Sequence, residues 1–504
     1  VQDSRLASPG SAFFYCGPIS LENRKHIVGY LTDAVRRGAT GIILPKDSLD
    51  RLDESLILLP DVHVYATESP GRVLGEKLGE LLGDPAASLI CLGITGTNGK
   101  TTSSYLLDHM LSTTFTHRAL VGTVGAKILG QHVKTGYTTP TPTVLQPLLA
   151  QSIENKVTHV TMEVSSHGLA EDRVGGLCFS YVGFCNLSVD HSDYHHDEAS
   201  YIGAKTKLFT HYLAASGRAY INIDDEHGLR LYTALSQRFA SNTKPSIDRS
   251  CYSLSTRSAA DYMMTAVNDG IDGSTATLVV SDQVRRAQNC LATVPIELSM
   301  VGRFNLDNAL LAIAMAHGAG VPLDRAATAL KEFAGVPGRL ERVQDKGGGR
   351  YVFIDYAHTP DALQKALSSI ELTGTEGKLI TVVGCGGDRD RSKRPMMAQV
   401  AARHADQVFF TSDNPRSESP ESIIDDMLGG LGQPGSMRAC VTCEADRRVA
   451  IGLALAAAQS GDIVLIAGKG HEAVQIIGQK EIPFSDKTVV QEWLADHVVD
   501  SRGE

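Results

Sequence analysis

The sequence predicts an α/β protein of three domains, on three observations. Strand-like apolar runs alternate with helix-like ones almost throughout, the pattern of helices layered on largely parallel sheets. A chain of 504 residues is too long for one hydrophobic core. The stretch "GITGTNGKTT" at 93–102 follows the apolar run "SLICLGI" and opens a helical segment, the setting of a phosphate-binding loop.

The elements follow in order. Residues 1–88 carry "SAFFYC", a helical "ENRKHIVGYLTDAVRRGA", short strands "TGIILP" and "VHVYAT", and a helix through "RVLGEKLGELLG" that stops at "GDPAAS". Residues 89–335 open with strand "LICLGIT", with "HVTMEVS" and "YVGFCNLS" as further buried strands; this is the P-loop-type mononucleotide-binding section. Residues 336–504 repeat the alternation with "RYVFIDYA", "LITVVGC", "QVFFTSD" and "DIVLIAG", a Rossmann-like arrangement. Their polar and glycine residues fall at the carboxyl ends of the strands, the edge where open α/β sheets bind ligands.

A net charge of -10 argues against a nucleic-acid binder, because a phosphate backbone demands a basic face. An acidic protein that handles anions must concentrate cations locally, which gives weight to the lysines and arginines inside motifs. No apolar run is long enough to cross a bilayer, and residues 1–20 lack a signal-peptide layout. Nine scattered cysteines fit reduced thiols and a cytoplasmic location. Cys440 and Cys443 have C-x-x-C spacing but no second ligand pair nearby, so buried or half-buried free thiols are expected.

The loop itself reads Gly96, Thr97, Asn98, Gly99, Lys100, Thr101, Thr102. Glycines admit close backbone approach, and a helix N-terminus favours an anion. Lys100 suits the β/γ-phosphates and Thr101 a Mg²⁺ ion, so ATP and Mg²⁺ are the expected cofactors. The loop is shorter than the usual G-x-x-x-x-G-K-[ST], and a plain glycine-rich helix cap is the competing interpretation.

Together with "MEVSSHGL", "NLSVDHSDYH", "FNLDNALLA", "DYAHTPDAL" and "GCGGDRDRSKRP", the loop resembles the Mur ligases over essentially the whole chain. These enzymes build the peptide of cell-wall precursors by ATP-driven amide formation through an acyl phosphate. With "DNPR" and "GKGHE" the chain is similar to the type that adds meso-diaminopimelate to UDP-MurNAc-L-Ala-D-Glu. The resemblance implies small-molecule substrates; a monomer is expected, and from charge and apolar-run length neither nucleic-acid binding nor membrane insertion.

It also implies roles residue by residue. Glu163 would bind magnesium, His191 a second magnesium, and Lys205 would carry a carbamate supporting that metal; Lys100 completes the catalytic set and Thr101 the metal ligands. Taken alone, Glu163 is a surface acid or helix cap, Lys205 a solvated helix lysine, and His195 and His196 satisfied surface residues. Lys207 would point to another helix face. Asn308 would meet adenine, Arg339 a phosphate, Asp355 the ribose hydroxyls, and His358 would lie beside the nucleotide. ATP would then bind between the second and third sections, whose closure completes the site.

Thr138, Thr139, Ser165 and Arg173 would hold the sugar-peptide, with Ser4 in the uridine segment "DSRLASPGSAFF". Glu171 stands where the pattern commonly has Gln, and an ionised Glu can only accept hydrogen bonds. The later "G..DG" of this segment is absent. Arg389, Asp413, Asn414, Pro415, Arg416, Gly468 and Glu472 would hold diaminopimelate, with Arg416 on its far carboxylate and Glu472 on an ammonium. Folylpolyglutamate and cyanophycin synthetases share the phosphate loop, but "DNPR" and the "DSR" segment disfavour them, and a regulatory nucleotide binder would be expected to lose Glu163, Lys205 or Arg416, all present here.

Overall fold

The computed structural model describes residues 1–17, 19, 23–47, 62–188, 197–241, 249–371, 373–374, 376–431 and 439–497. They divide into two compact units, one of residues 1–265, 278–294 and 307–329, the other of 266–277, 295–306 and 330–504.

In the first unit a three-stranded parallel sheet joins β1 (Ala12–Phe14), β2 (Gly41–Pro45) and β3 (His63–Thr67) in that order. The helix Arg24–Arg36 buries Ile27, Leu31 and Ala34 in the same core as Phe13, Ile42 and Leu44. A second helix, Pro70–Leu81, starts on the Ser69 hydroxyl, which accepts from the Arg72 amide, with Pro70 in its first turn. Its glycine face packs on the segment 171–175. A Cβ at Gly71 would lie 1.9 Å from the Glu171 carbonyl oxygen, and one at Gly75 would lie 2.1 Å from that of Gly175. Only glycine allows this approach, which seats the N-terminal section against residues predicted to meet the sugar-peptide.

The larger sheet contains β4 (Ile90–Thr95), β5 (Arg118–Gly122), β6 (Gly125–Ile128), β7 (Gln131–Val133), β8 (His159–Glu163), β9 (Phe179–Phe184), β10 (Leu213–Asn222), β11 (Ser250–Ser255), β12 (Tyr262–Gly270), β13 (Gly273–Val280) and β14 (Thr293–Leu298). Its order is β14-β13-β12-β11-β10-β9-β4-β8-β5-β6-β7. From β11 through β9, β4 and β8 to β5 the pairing is parallel, whereas β5, β6 and β7 are antiparallel. The predicted strands are all present. The antiparallel β5–β7 extension departs from pure alternation, because two short turns, with Gly125 and Gly130 at positive φ, reverse the chain twice. Every residue of β8 is buried and all but the first of β4, as helices on both faces require.

The second unit holds β15 (Glu341–Val343), β16 (Tyr351–Asp355), β17 (Leu379–Cys385), β18 (Gln407–Ser412), β19 (Cys440–Cys443) and β20 (Ile463–Ala467) in the order β15-β16-β20-β17-β18-β19. All neighbours are parallel except β15–β16. A separate hairpin pairs β21 (Val474–Ile477) with β22 (Lys480–Pro483). Cys440 and Cys443 are exposed free thiols, which corrects the expectation of burial: β19 is an edge strand, with one flank and much of its surface open to solvent.

Candidate active site

The carboxyl ends of β4 and β8 bring Lys100, Thr101 and Glu163 together, and Lys205 reaches the same loop from the helix Glu198–Thr210. From β4 the chain turns through Gly96–Gly99 into the helix Lys100–Ser112. Gly99 has φ +88°, and a Cβ there would sit 2.1 Å from Asn308 Oδ1, so both conformation and space demand glycine. Asn308 is buried in the helix Phe304–Gly318; its Oδ1 also accepts from Ser103 Oγ at 3.3 Å. The helical asparagine therefore packs against the loop itself.

Lys100 folds back over its own loop, its Nζ donating to the carbonyls of Gly96 (3.0 Å) and Thr97 (2.8 Å). Lys205, in the helix Glu198–Thr210, donates to the same Gly96 carbonyl at 2.8 Å. It is 2% exposed, with its Nζ 4.4 Å from the centre of the Tyr201 ring. The solvated-helix interpretation is thus corrected: one turn separates Lys205 from Tyr201, and that face looks inward. Lys207, on a different face, reaches the Leu169 carbonyl and Asp172.

Glu163 ends β8 fully buried, which excludes the surface-acid alternative. Its Oε2 accepts from Thr101 Oγ1 (2.8 Å) and Thr123 Oγ1 (3.0 Å), and its Oε1 from the Thr123 amide (2.9 Å). These oxygen donors suit a hard cation that keeps most of its water. Thr102 is buried in the same helix turn. Thr97 Oγ1 lies 2.9 Å from the Tyr201 hydroxyl and accepts from the Ser188 amide at 3.0 Å, while Asn98 exchanges hydrogen bonds with Asn186.

A second group adjoins Glu163. Thr123 Oγ1 is 3.1 Å from Thr138 Oγ1, and Thr139 Oγ1 donates to the Glu163 carbonyl at 3.0 Å. Thr139 Oγ1 also accepts from the Ser165 amide, and Ser165 caps the helix Ser166–Ala170. Arg173 places Nη1 on the Thr139 carbonyl (3.1 Å), its guanidinium 4.5 Å from the Tyr137 ring centre, and Nε on Glu171 Oε2 (2.9 Å). Glu171 thus engages the cation expected to meet an anionic substrate. A cavity of about 430 Å³ beside it has Asp47, Glu68, Glu171 and Asp172 among its lining residues, with Lys207 as the cation. Ser4 is buried and donates to Asp33. His191, with His195 and His196, lies outside the described residues.

In the second unit, Asp355 ends β16 and accepts from the Leu340 and Ala357 amides; burial pushes its carboxyl up, against the pull of Arg339 and these bonds. The Arg339 guanidinium is 5.0 Å from the Tyr356 ring, which also neighbours His358 (4.7 Å) and His471 (5.2 Å). After β18, Asp413 and Asn414 are buried. Burial pushes the Asp413 carboxyl up, opposed by Arg447 and Lys469. Pro415 leads to Arg416, which has φ +53° and donates from Nη1 to the Gly387 carbonyl at 2.7 Å. Its backbone is fastened to the hairpin, its amide donating to Ile476 and its carbonyl accepting from Gly478. Arg389 is exposed on the neighbouring loop. Gly468 bonds its amide to the Asp355 carbonyl, and Glu472 accepts from Asn414 and Lys469.

Residues 94–316 match the Mur ligase middle domain, and residues 338–470 the Mur ligase glutamate ligase domain. The UDP-N-acetylmuramoyl-L-alanyl-D-glutamate–2,6-diaminopimelate ligase of Synechococcus elongatus is 37% identical, over 98% of this chain and 93% of that protein. The chain belongs to the Mur ligase family. The ligase of the same name from Thermosynechococcus vestitus is 39% identical over 97% of this chain and 91% of that protein. A solved structure with that ligase name superimposes with a TM-score of 0.65 at 32% identity, covering 99% of this chain and 95% of the other. Mycobacterium tuberculosis folylpolyglutamate synthase complexed with ADP shares the fold, with a TM-score of 0.61 at 18% identity over 79% of this chain and 92% of the other.

Several supporting residues of this Mur ligase escaped the sequence reading. Thr123, Asn186, Ser188 and Tyr201 hold the loop and Glu163, and Tyr356 lies against Arg339 with His471 beside its ring. Asn186 and Ser188 carried a signal, as polar residues at the carboxyl end of a buried strand. Thr123 carried none, because its partner is 40 residues away.

Proposed function

We propose that this Mur ligase joins meso-diaminopimelate to UDP-N-acetylmuramoyl-L-alanyl-D-glutamate with ATP, through an acyl phosphate, in cell-wall precursor synthesis. The observation that carries the reading is the phosphate loop, with two ammonium groups on one carbonyl beside a buried Thr101–Glu163 pair. A carboxylate is a poor electrophile, so amide formation needs phosphorylation first. That step brings two anions together, and cations must cancel their repulsion.

In this reading the Gly96–Thr102 loop and Lys100 cradle the β/γ-phosphates. Lys100 exchanges its two carbonyl partners for phosphate oxygens. Thr101 and Glu163 would hold Mg²⁺, which supplies charge neutralisation of the transferring phosphoryl group when bound. His191 belongs to a second such site. Lys205 is assigned a carbamate: its neutral amine adds CO₂ and releases a proton, turning a cation into an anion suited to a metal. The product keeps one N–H, enough to retain the Gly96 bond.

Asn308, Arg339, Asp355 and His358 are assigned to the nucleotide, and Ser4, Thr138, Thr139, Ser165, Glu171 and Arg173 to the sugar-peptide. Arg389, Asp413, Asn414, Pro415, Arg416, Gly468 and Glu472 are assigned to diaminopimelate. Residues 1–88 then serve the sugar nucleotide, 89–335 ATP and 336–504 the amino acid. We place the enzyme in the cytoplasm as a monomer. No helix among the described residues is long and apolar enough to cross a membrane.

Phosphate release tests the proposal. Turnover should require both the UDP-muramyl dipeptide and the amino acid, because an acyl phosphate without an acceptor does not turn over. Equal ATP hydrolysis in the absence of both refutes it.

A further inference from the structure

Lys469 lies between residues assigned to the amino acid, yet it was assigned no role. Its side chain is wholly buried, which is rare for lysine unless its charge is paired. The Nζ donates three hydrogen bonds, to Asn414 Oδ1 (3.0 Å), Glu472 Oε2 (2.9 Å) and the Val474 carbonyl (2.8 Å). An ammonium has three N–H donors, and all are spent on protein. Lys469 therefore has none left for a ligand.

Its partners are strongly oriented by it. Asn414 Oδ1 also accepts from the Ile476 amide at 2.9 Å, so two donors face that oxygen. The amide can sit only one way round, with Nδ2 donating to Glu472 Oε2 at 2.8 Å. Glu472 Oε2 thus takes both Lys469 and Asn414. Among the described residues Oε1 accepts no hydrogen bond, and the side chain is 30% exposed, which leaves that oxygen for an incoming ammonium.

We propose that Lys469 is a positioning residue of the amino-acid subsite, locking Asn414 and Glu472 into one unit whose outward oxygen receives an ammonium of the substrate. This role rests on the assignment of that subsite to diaminopimelate. The electrostatics agree. Burial raises the Glu472 carboxyl, but the Lys469 charge and the bonds from Lys469 and Asn414 hold it below the usual glutamate range. His471 adds a smaller pull, while Tyr356, Asp413 and Arg447 are the other titratable or charged groups that sense Glu472. The lysine keeps the receptor ionised without itself occupying the site.

The test compares the unmutated enzyme with Lys469→Met, which keeps the chain length and removes the charge. KM for diaminopimelate should rise roughly 10- to 100-fold, the cost of stranding one partner of a buried polar set, while kcat at saturation changes less than about 3-fold. The acid limb of kcat/KM should move up by about one pH unit or more, because Glu472 has lost its nearest cation. A merely structural lysine would lower thermal stability and leave that limb in place.

The double variant Lys469→Met/Glu472→Gln removes both charges, and if the lone carboxylate unfolds the single lysine variant, the double is compared with Glu472→Gln alone, over which its KM should rise less than about 3-fold. Its loss should be smaller than the product of the two single losses. An unmoved acid limb together with a multiplicative loss overturns the role. Failure of the unmutated enzyme to use diaminopimelate would instead overturn the functional reading, a separate result.

Discussion

Glu171→Gln should tighten binding of the UDP-muramyl dipeptide, against the usual expectation that altering a site residue weakens it. In the structure Glu171 Oε2 accepts from Arg173 Nε at 2.9 Å, and the two side chains are only 17% and 10% exposed. An anionic substrate group that reaches Arg173 meets the Glu171 charge, since two anions held on one guanidinium lie on the order of 5 Å apart. At an effective dielectric near 20 that repulsion is about 3 kcal/mol. Solvent and salt admitted by the partly open site reduce it to ~1 kcal/mol, about fivefold in affinity. Glutamine keeps a carbonyl oxygen for Arg173 Nε, and the Thr139 carbonyl and Tyr137 ring still hold the guanidinium. The assay is KM for the dipeptide at low and high ionic strength, with the gain expected to shrink as salt rises. An unchanged or higher KM at low salt refutes the idea that Glu171 competes for Arg173.

Lys100→Ala should lower turnover roughly 100-fold or more, corresponding to ~3 kcal/mol for one phosphoryl clamp; a near-normal rate would mean the loop has been misread. Lys205→Ala should be nearly inactive and partly rescued by a small added carboxylate, and full activity without rescue contradicts the carbamate. The unmutated enzyme should prefer diaminopimelate over lysine by ~10⁴-fold or more, since lysine leaves Arg416 unpaired, and Arg416→Ala should lose most of that preference in competition assays. Hydrogen bonds from Arg394 hold the Glu418 carboxyl at about 2, below its ordinary 4.5. A depressed carboxylate contributes stability above the unfolded value that is lost as pH falls through the folded one. Glu418→Gln should therefore flatten the melting temperature against pH between about 4.5 and 2, and an unaltered slope would show the pair to be unimportant.

Local physics made much of this protein legible in its sequence. Buried parallel strands are largely apolar, so β4, β17 and β20 stand out as runs, and a loop that cradles phosphate needs glycine where Gly99 takes φ +88°. The order Gly-Thr-Asn-Gly-Lys-Thr is such a local requirement, and so is the placement of Glu163 and Asp413 at strand ends.

What only tertiary structure decided is how residues distant in sequence share one atom or one charge. Lys205 is indistinguishable from Lys207 by composition; burial against Tyr201 and a bond to the Gly96 carbonyl 109 residues away separate them. Glu171 could be written down as a departure from Gln, but its capture of Arg173 required the turn that the Gly71 and Gly75 helix packs against. Lys469 gave no signal inside "GKGHE", because its role comes from Asn414, 55 residues earlier, and from a hairpin edge that follows it. Periodicity and turn chemistry act over a few residues. Desolvation and charge pairing act through space, and the chain must fold before they choose among identical side chains.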